Sequence, residues 1–371
     1  MPSSVEMVIM TGGEESTPEE VLMAEAWRAA TLDWIDRACD AAAIGRILVA
    51  TNSPRFADRV QSIHPSVETT VDSAPFHFGL RLREIIVSQS LAKPFYAGAG
   101  SGVLLTTEEM QSTAQAIQDG EDCLIANNFY SSDFLAFTPG GAIFRIDPPD
   151  TDNDLAWRLG RQAGLQSLAL PPSAASLFDL DTPVDLMIAL AHPGCPARLR
   201  AYLEETSLDT TPIFRALDVL RRPGSRVMIA GRVGAAARAY LEEHTCCEVT
   251  VLAEERGMRA SGRAERGEAR TILGHFARER GAEAMLRALA ANTDLVLLDS
   301  RVLFSHLGQW PSNAERYRSD LLQYEGIADP MLRQLTEAAA RAPIPVVLGG
   351  HSLVSGGLYA LVDIACSTSP R

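Results

Sequence analysis

The sequence is short of positive charge. Its 371 residues carry 33 Lys and Arg against 47 Asp and Glu, a formal net charge of −14. Nucleic acid and anionic membrane both favour basic surface, so neither is expected as the main partner. A local basic pocket inside an acidic chain stays open. Cysteine is sparse and unpatterned: of six, only Cys246 and Cys247 are adjacent, and no C-x-x-C occurs. That argues against a zinc site or a disulfide framework and suits a reducing, cytoplasmic compartment. No apolar run reaches membrane-spanning length. Val5–Met10 lacks a basic flank and is too short for the apolar core of a signal peptide.

What remains is an ordinary globular composition, 46% hydrophobic and 22% charged. The length favours two domains, each able to bury its own core. The polar stretch from Thr206 and the Arg222-Pro223-Gly224 turn suggest a linker over 206–224, between domains at 1–205 and 225–371. Apolar strands under an acidic surface permit a homodimer without requiring one.

In the first half, Val5–Met10 reads as a strand that stops at Thr11-Gly12-Gly13. Backbone N–H groups in such a turn can face a phosphate. Met23–Ala43 has helical spacing, Ile44–Ala50 reads as a second strand, and Phe78–Leu91 reads as a helix. A strand then leads into Gly98-Ala99-Gly100-Ser101-Gly102, a loop whose backbone can cradle an anion. Thr106 or Thr107 caps the next helix, with Glu109 in its first turn. Cys123–Phe129 and Phe134–Phe137 look like paired strands around Asp133. That residue is either a spare metal ligand or, as is commoner in such turns, bonded to its own neighbourhood.

The stretch Phe178-Asp179-Leu180-Asp181-Thr182-Pro183-Val184-Asp185-Leu186 has a complete structural account. Asp179–Asp181 end a strand, Thr182 is an N-cap, Pro183 opens the helix and Asp185 favours its dipole. The same stretch resembles the D-[IV]-D-T-P-x-D-L signature of molybdenum cofactor guanylyl- and cytidylyltransferases, shared by guanylyltransferases of deazaflavin cofactor synthesis. That resemblance implies an N-terminal nucleotidyltransferase-like α/β domain, of the nucleotide-diphospho-sugar transferase kind, over residues 5 to about 200. It implies a nucleotide or other phosphorylated small-molecule ligand, with Gly12, Gly13, Gly98, Gly100 and Ser101 against the phosphates. It further implies Mg²⁺, with Asp181 as metal ligand and Asp179 and Asp181 as catalytic residues. Two family features are missing. The first turn runs on into Glu14-Glu15-Ser16-Thr17-Pro18-Glu19-Glu20 in place of the family's Arg and Lys. Gly100 or Ser101 stands where the family has a metal-binding Asp, and metal-assisted phosphoryl transfer needs such carboxylates.

The second half alternates strand and helix. Strands are expected at Arg226–Ala230, Glu248–Ala253, Asp294–Asp299 and Ile344–Leu348, with helices between and after them. This pattern implies a smaller Rossmann-like parallel-sheet domain. Ligands of such sheets sit beyond the carboxyl ends of the strands. Gly231, Gly234, Arg259, Asp299, Arg301, His351 and Ser352 stand there as a second-domain ligand site. The arginines of 256–270 form either a loop that closes on an anion or an exposed salt-bridged loop. Three functions follow: nucleotidyl transfer in the first domain, a non-catalytic nucleotide-binding or regulatory protein on that fold, or an enzyme whose site lies in the second domain.

Overall fold

The computed structural model describes residues 4–72, 75–259 and 261–367. The chain is α/β and forms two compact units. The first comprises residues up to Gly13, Ala24–Leu177 and Pro196–Leu199. The second comprises Glu14–Met23, Phe178–Cys195 and the chain from Arg200 onward. The segment Phe178–Cys195 therefore packs with the second sheet. Residues 206–224 contain the helix Thr211–Leu220, with Ile213, Ala216, Leu217 and Leu220 buried.

The first unit is built on seven strands: β1 (Val5–Thr11), β2 (Ile44–Thr51), β3 (Glu68–Val71), β4 (Pro94–Gly98), β5 (Cys123–Ala126), β6 (Phe134–Thr138) and β7 (Gln166–Ala169). Their order is β3-β2-β1-β4-β6-β5-β7. β1 runs parallel to β2 and β4, and β6 is antiparallel to both β4 and β5. The continuous apolar run of β1 matches its place in mid-sheet, where both faces are covered. Helix Pro18–Asp40 opens five residues before the expected Met23, because Pro18 starts it and Glu19 and Glu20 suit its first turn. Trp34 on this helix is fully buried, edge-on to Phe95 at 6.1 Å and to Phe134 at 5.9 Å between ring centroids.

The second unit is a four-stranded parallel sheet in the order β11-β10-β8-β9. The strands are β8 (Arg226–Gly231), β9 (Glu248–Ala253), β10 (Leu295–Asp299) and β11 (Val346–Gly349). Leu298, Leu332, Leu335 and Leu348 share one buried cluster. Helices Pro183–Ala191 and Thr211–Leu220 pack against β11. Between β9 and β10 stand two helices, Ile272–Arg280 and Ala282–Asn292, parted by Gly281 at φ 85°. The strand expected at Asp179–Asp181 is reduced to an isolated bridge residue, Asp179. Among the described residues no helix is long and apolar enough to cross a membrane.

Trp34 supplies the measurable test of the first core. Removing its ring from a fully enclosed position leaves a cavity that close-packed neighbours cannot collapse into. Trp34→Ala should lower the unfolding free energy by about 3–5 kcal/mol in urea titration; an unchanged midpoint would contradict the packing described.

Candidate functional site

In the first unit the strand order reverses between β1 and β4. Open α/β sheets form their ligand crevice at this switch point, beyond the carboxyl ends of the strands. Gly12 and Gly13 follow β1, and Gly98 ends β4 with Gly100 and Ser101 beyond it. Met10 lies opposite Gly98 in register, and the ladder continues with Ala99 N–H donating to Met10 O at 3.1 Å. These two glycine turns are thus neighbours. Asn52, beyond β2, donates from Nδ2 to Gly13 O at 3.0 Å.

The second turn is fixed from behind by the helix Pro18–Asp40. Trp34 Nε1 donates to Ser101 O at 2.8 Å, and Arg37 donates to Val103 O at 2.9 Å and Leu105 O at 2.7 Å. Burial pushes Arg37 down to about 10, so it stays charged at neutral pH. Ser101 is itself buried, and its hydroxyl donates to Gly98 O at 2.7 Å. Its proton therefore shapes the loop. Thr106 caps the helix Thr107–Asp119 through a capping box with Glu109, as expected. Lys93, the only lysine in the chain, donates to Ile117 O at 3.1 Å and Gln118 O at 2.5 Å, at the end of that helix. Asp133 accepts from Asn127 Nδ2 at 2.9 Å and from Ser131 Oγ at 3.3 Å, the local bonding common in such turns.

Asp179, Asp181 and Asp185 belong to the second unit. Asp185 is fully buried, and its Oδ2 accepts from Thr182 N at 2.8 Å, Thr182 Oγ1 at 2.8 Å and Asp181 N at 3.1 Å. Burial, then the like charge of Asp181, pushes Asp185 well above the ordinary range. Asp179 contributes its carbonyl, which accepts from Ser352 Oγ at 2.8 Å. The Asp181 side chain is exposed. Mg²⁺ needs several oxygen ligands. Among the described residues no three His, Cys, Asp or Glu groups are placed to hold a metal, and of the Asp185 carboxyl Oδ2 is taken by its cap while Oδ1 is buried without a hydrogen-bond partner. This donor set does not fit a resident ion.

At the carboxyl edge of the second sheet most of the expected residues do come together. Gly231, at φ 118°, lets β8 pass close to β10: a Cβ there would stand 2.5 Å from Asp299 Cβ. Asp299 is fully buried and receives a two-pronged ion pair from Arg232, Nε to Oδ2 at 2.6 Å and Nη2 to Oδ1 at 3.1 Å. Burial would raise this carboxyl, but the charge and hydrogen bonds of Arg232 outweigh it and hold it below the ordinary value. It also caps helix Ser300–Leu307 through Arg301 N.

Arg301, expected to meet ligand, is buried and already occupied. It makes a second two-pronged pair with Asp320, 2.7 Å at each prong, and reaches Gly349 O at 3.2 Å and Ser300 Oγ at 3.0 Å. His351, half-buried, feels Arg232, Asp299, Asp181 and Arg256 and is pushed down to about 4, chiefly by burial and then by Arg232. It is neutral at pH 7. Gly234 is the N-cap of helix Ala235–His244, close to the Arg256 guanidinium.

The loop of arginines divides. Arg263 pairs with Glu255 at 2.7 Å, Arg266 with Glu268 at 2.8 Å, and Arg270 bonds to local carbonyls. Arg259 instead lies over the ring of Trp310. Trp310, Arg316 and Tyr317 were not singled out from sequence. The capping box Ser312/Glu315, which starts the helix Asn313–Asp320 and carries Arg316 and Tyr317, is the signal that could have found them.

Two outcomes check this division of labour. Arg301→Ala strands Asp320 as a buried unpaired charge and should cost about 3–5 kcal/mol, while Arg259→Ala, on the surface, should stay within about 0.5 kcal/mol. Equal losses in urea titration would contradict it. For Asp185, the unfolded chain releases the proton near pH 3.8, and the folded state keeps it until well above that. Stability due to this group is therefore full below that pH and falls as pH rises through the raised folded value. Asp185→Asn should flatten the decline measured by urea unfolding across that window; an identical slope in the variant would refute the protonated carboxyl.

Neither the family models nor the curated proteins contain a match to this sequence. Solved structures similar to this chain include nucleotide-diphospho-sugar transferases and cytidylyltransferases. One, described as a candidate nucleotide-diphospho-sugar transferase from Desulfovibrio desulfuricans G20, is 12% identical, with 55% of this chain and 98% of that one covered at a TM-score of 0.39. A cytidylyltransferase from Leptospira borgpetersenii serovar Hardjo-bovis is 8% identical, covering 56% and 99% at 0.35. CMP:2-keto-3-deoxy-manno-octonic acid synthetase, in its complex with CTP, is 12% identical, covering 45% and 89% at 0.32.

Proposed function

We propose that this chain is a nucleotidyltransferase-like protein that binds a nucleotide or another phosphorylated small molecule at the carboxyl edge of its first sheet. The observation that carries this reading is the pair of glycine turns, Gly12-Gly13 and Gly98–Gly102, set side by side at the switch point between β1 and β4. Backbone N–H groups at such turns suit phosphate oxygens. Trp34 and Arg37 hold the second turn in place before any ligand arrives, which reduces the ordering cost of binding.

Binding is better supported than transfer. The one lysine is spent on helix carbonyls, and no acidic group stands beside Ser101 in the sequence. NTP-dependent nucleotidyl transfer is the catalytic form of the proposal. A non-catalytic nucleotide-binding or regulatory role is the alternative. An enzyme centred on the second unit is favoured by a separate observation, the gathering of Asp181, His351 and Arg232 about the ends of β8 and β11.

Calorimetric titration with each of the four nucleoside triphosphates, with and without Mg²⁺, tests the reading. At least one should bind saturably, and Gly12→Asp, which places a carboxylate in the turn, should weaken it by about tenfold or more through like-charge repulsion. Binding unaffected by Gly12→Asp, or absent for all four nucleotides, would reject the first-sheet site.

A further inference from the structure

The second unit holds a group of arginines that have no carboxylate partner among the described residues. Arg259 and Arg316 both approach one indole, their guanidinium carbons 5.7 Å and 5.6 Å from the Trp310 ring centre. Arg316 bonds to Pro311 O and Asn313 Oδ1 and has no carboxylate partner among the described residues. Arg256 and Arg259 make no hydrogen bond or ion pair among the described residues and are both exposed. Both contacts draw a guanidinium to the electron-rich face of the ring. Two like charges on one ring repel each other, and an anion between them would convert that repulsion into attraction.

The contrast with the rest of the unit is informative. Arg232, Arg263, Arg266, Arg301 and Arg318 each have an acid, in Asp299, Glu255, Glu268, Asp320 and Glu19. The unpaired ones lie at the carboxyl edge of a parallel sheet, where ligands of such sheets bind. Arg256 adds a third charge there, beside Gly234 and within electrostatic reach of His351. Tyr317, next to Arg316, is buried and lies within reach of Arg301, Arg316 and Asp181. The exposed carboxylate of Asp181 opposes an anion near His351, so the favourable seat is on the Trp310 side.

We propose that Arg259 and Arg316, gathered on Trp310 and joined by Arg256, bind the phosphoryl group of a phosphorylated small molecule. Uncompensated guanidiniums of this number match a dianionic phosphoryl group better than a single carboxylate, and their planar forks suit its oxygens. This site is independent of the first-sheet crevice and stands or falls without it.

The test uses the full chain and tryptophan fluorescence, titrated with inorganic phosphate, ribose 5-phosphate and citrate. Phosphate or the phosphate monoester should give a saturable change that vanishes in Trp310→Phe. Arg259→Gln should weaken it by about tenfold or more. Arg266→Gln, which removes a guanidinium already paired with Glu268, should leave it unchanged. Arg256→Gln, at an exposed position, repeats the test without touching the helix that carries Arg316, with folding followed by circular dichroism. A response to the monoester alone supports a larger ligand held by its phosphoryl group. A response to citrate alone, none to any of the three, or equal affinity in Arg259→Gln would overturn the assignment.

Discussion

The ends of β8, β10 and β11 are held together by two buried arginine–aspartate pairs. Arg232 with Asp299 ties the turn after β8 to the end of β10. Arg301 with Asp320 ties the start of the next helix to the helix Asn313–Asp320 and also reaches the carbonyl of Gly349 on β11. Such pairs return little net stability, because desolvation offsets most of the attraction, yet losing one partner is severe. Their effect is to fix where four chain segments end. His351, Asp181, Arg256, Arg259 and Arg316 stand on that edge, while Arg232, Asp299, Arg301 and Asp320 are committed to one another.

That division explains what could be read from the amino acids and what could not. β1, β2, β8, β10 and β11 show as apolar runs because their residues are mostly buried. β3 and β7 were invisible: they are edge strands, exposed or half-exposed along their length, and carry no hydrophobic pattern. The helix Asn313–Asp320 is polar nearly throughout, and only its capping box marks it. Asp299 and Arg301 were singled out correctly as residues at a strand end. Their partners lie 67 and 19 positions away, and no local signal distinguishes an arginine that meets a buried aspartate from one that faces solvent.

The stretch 178–186 shows the same limit from the other side. Its sequence resembles a nucleotidyltransferase signature, and the physical role of its residues is also that of a helix start. Asp185 closes the cap on Thr182, and Asp179 offers a backbone carbonyl to Ser352. Only Asp181 keeps its side chain at the surface. In the first unit, by contrast, the second glycine turn is held in place by Trp34 and Arg37, while the family's Lys and metal-binding Asp are missing from the sequence. Binding surfaces made of backbone depend on topology, whereas catalysis depends on a few side chains, and these two parts of a resemblance need not travel together.

The central claim is that the carboxyl edge of the second sheet separates structural arginines from ligand-binding ones. Crystals soaked in tungstate, a heavy mimic of phosphate, would test it directly by anomalous scattering. A peak between Arg259 and Arg316, with none displacing Asp320 from Arg301, is the predicted result. An empty Trp310 side, with tungstate bound only elsewhere, would contradict it.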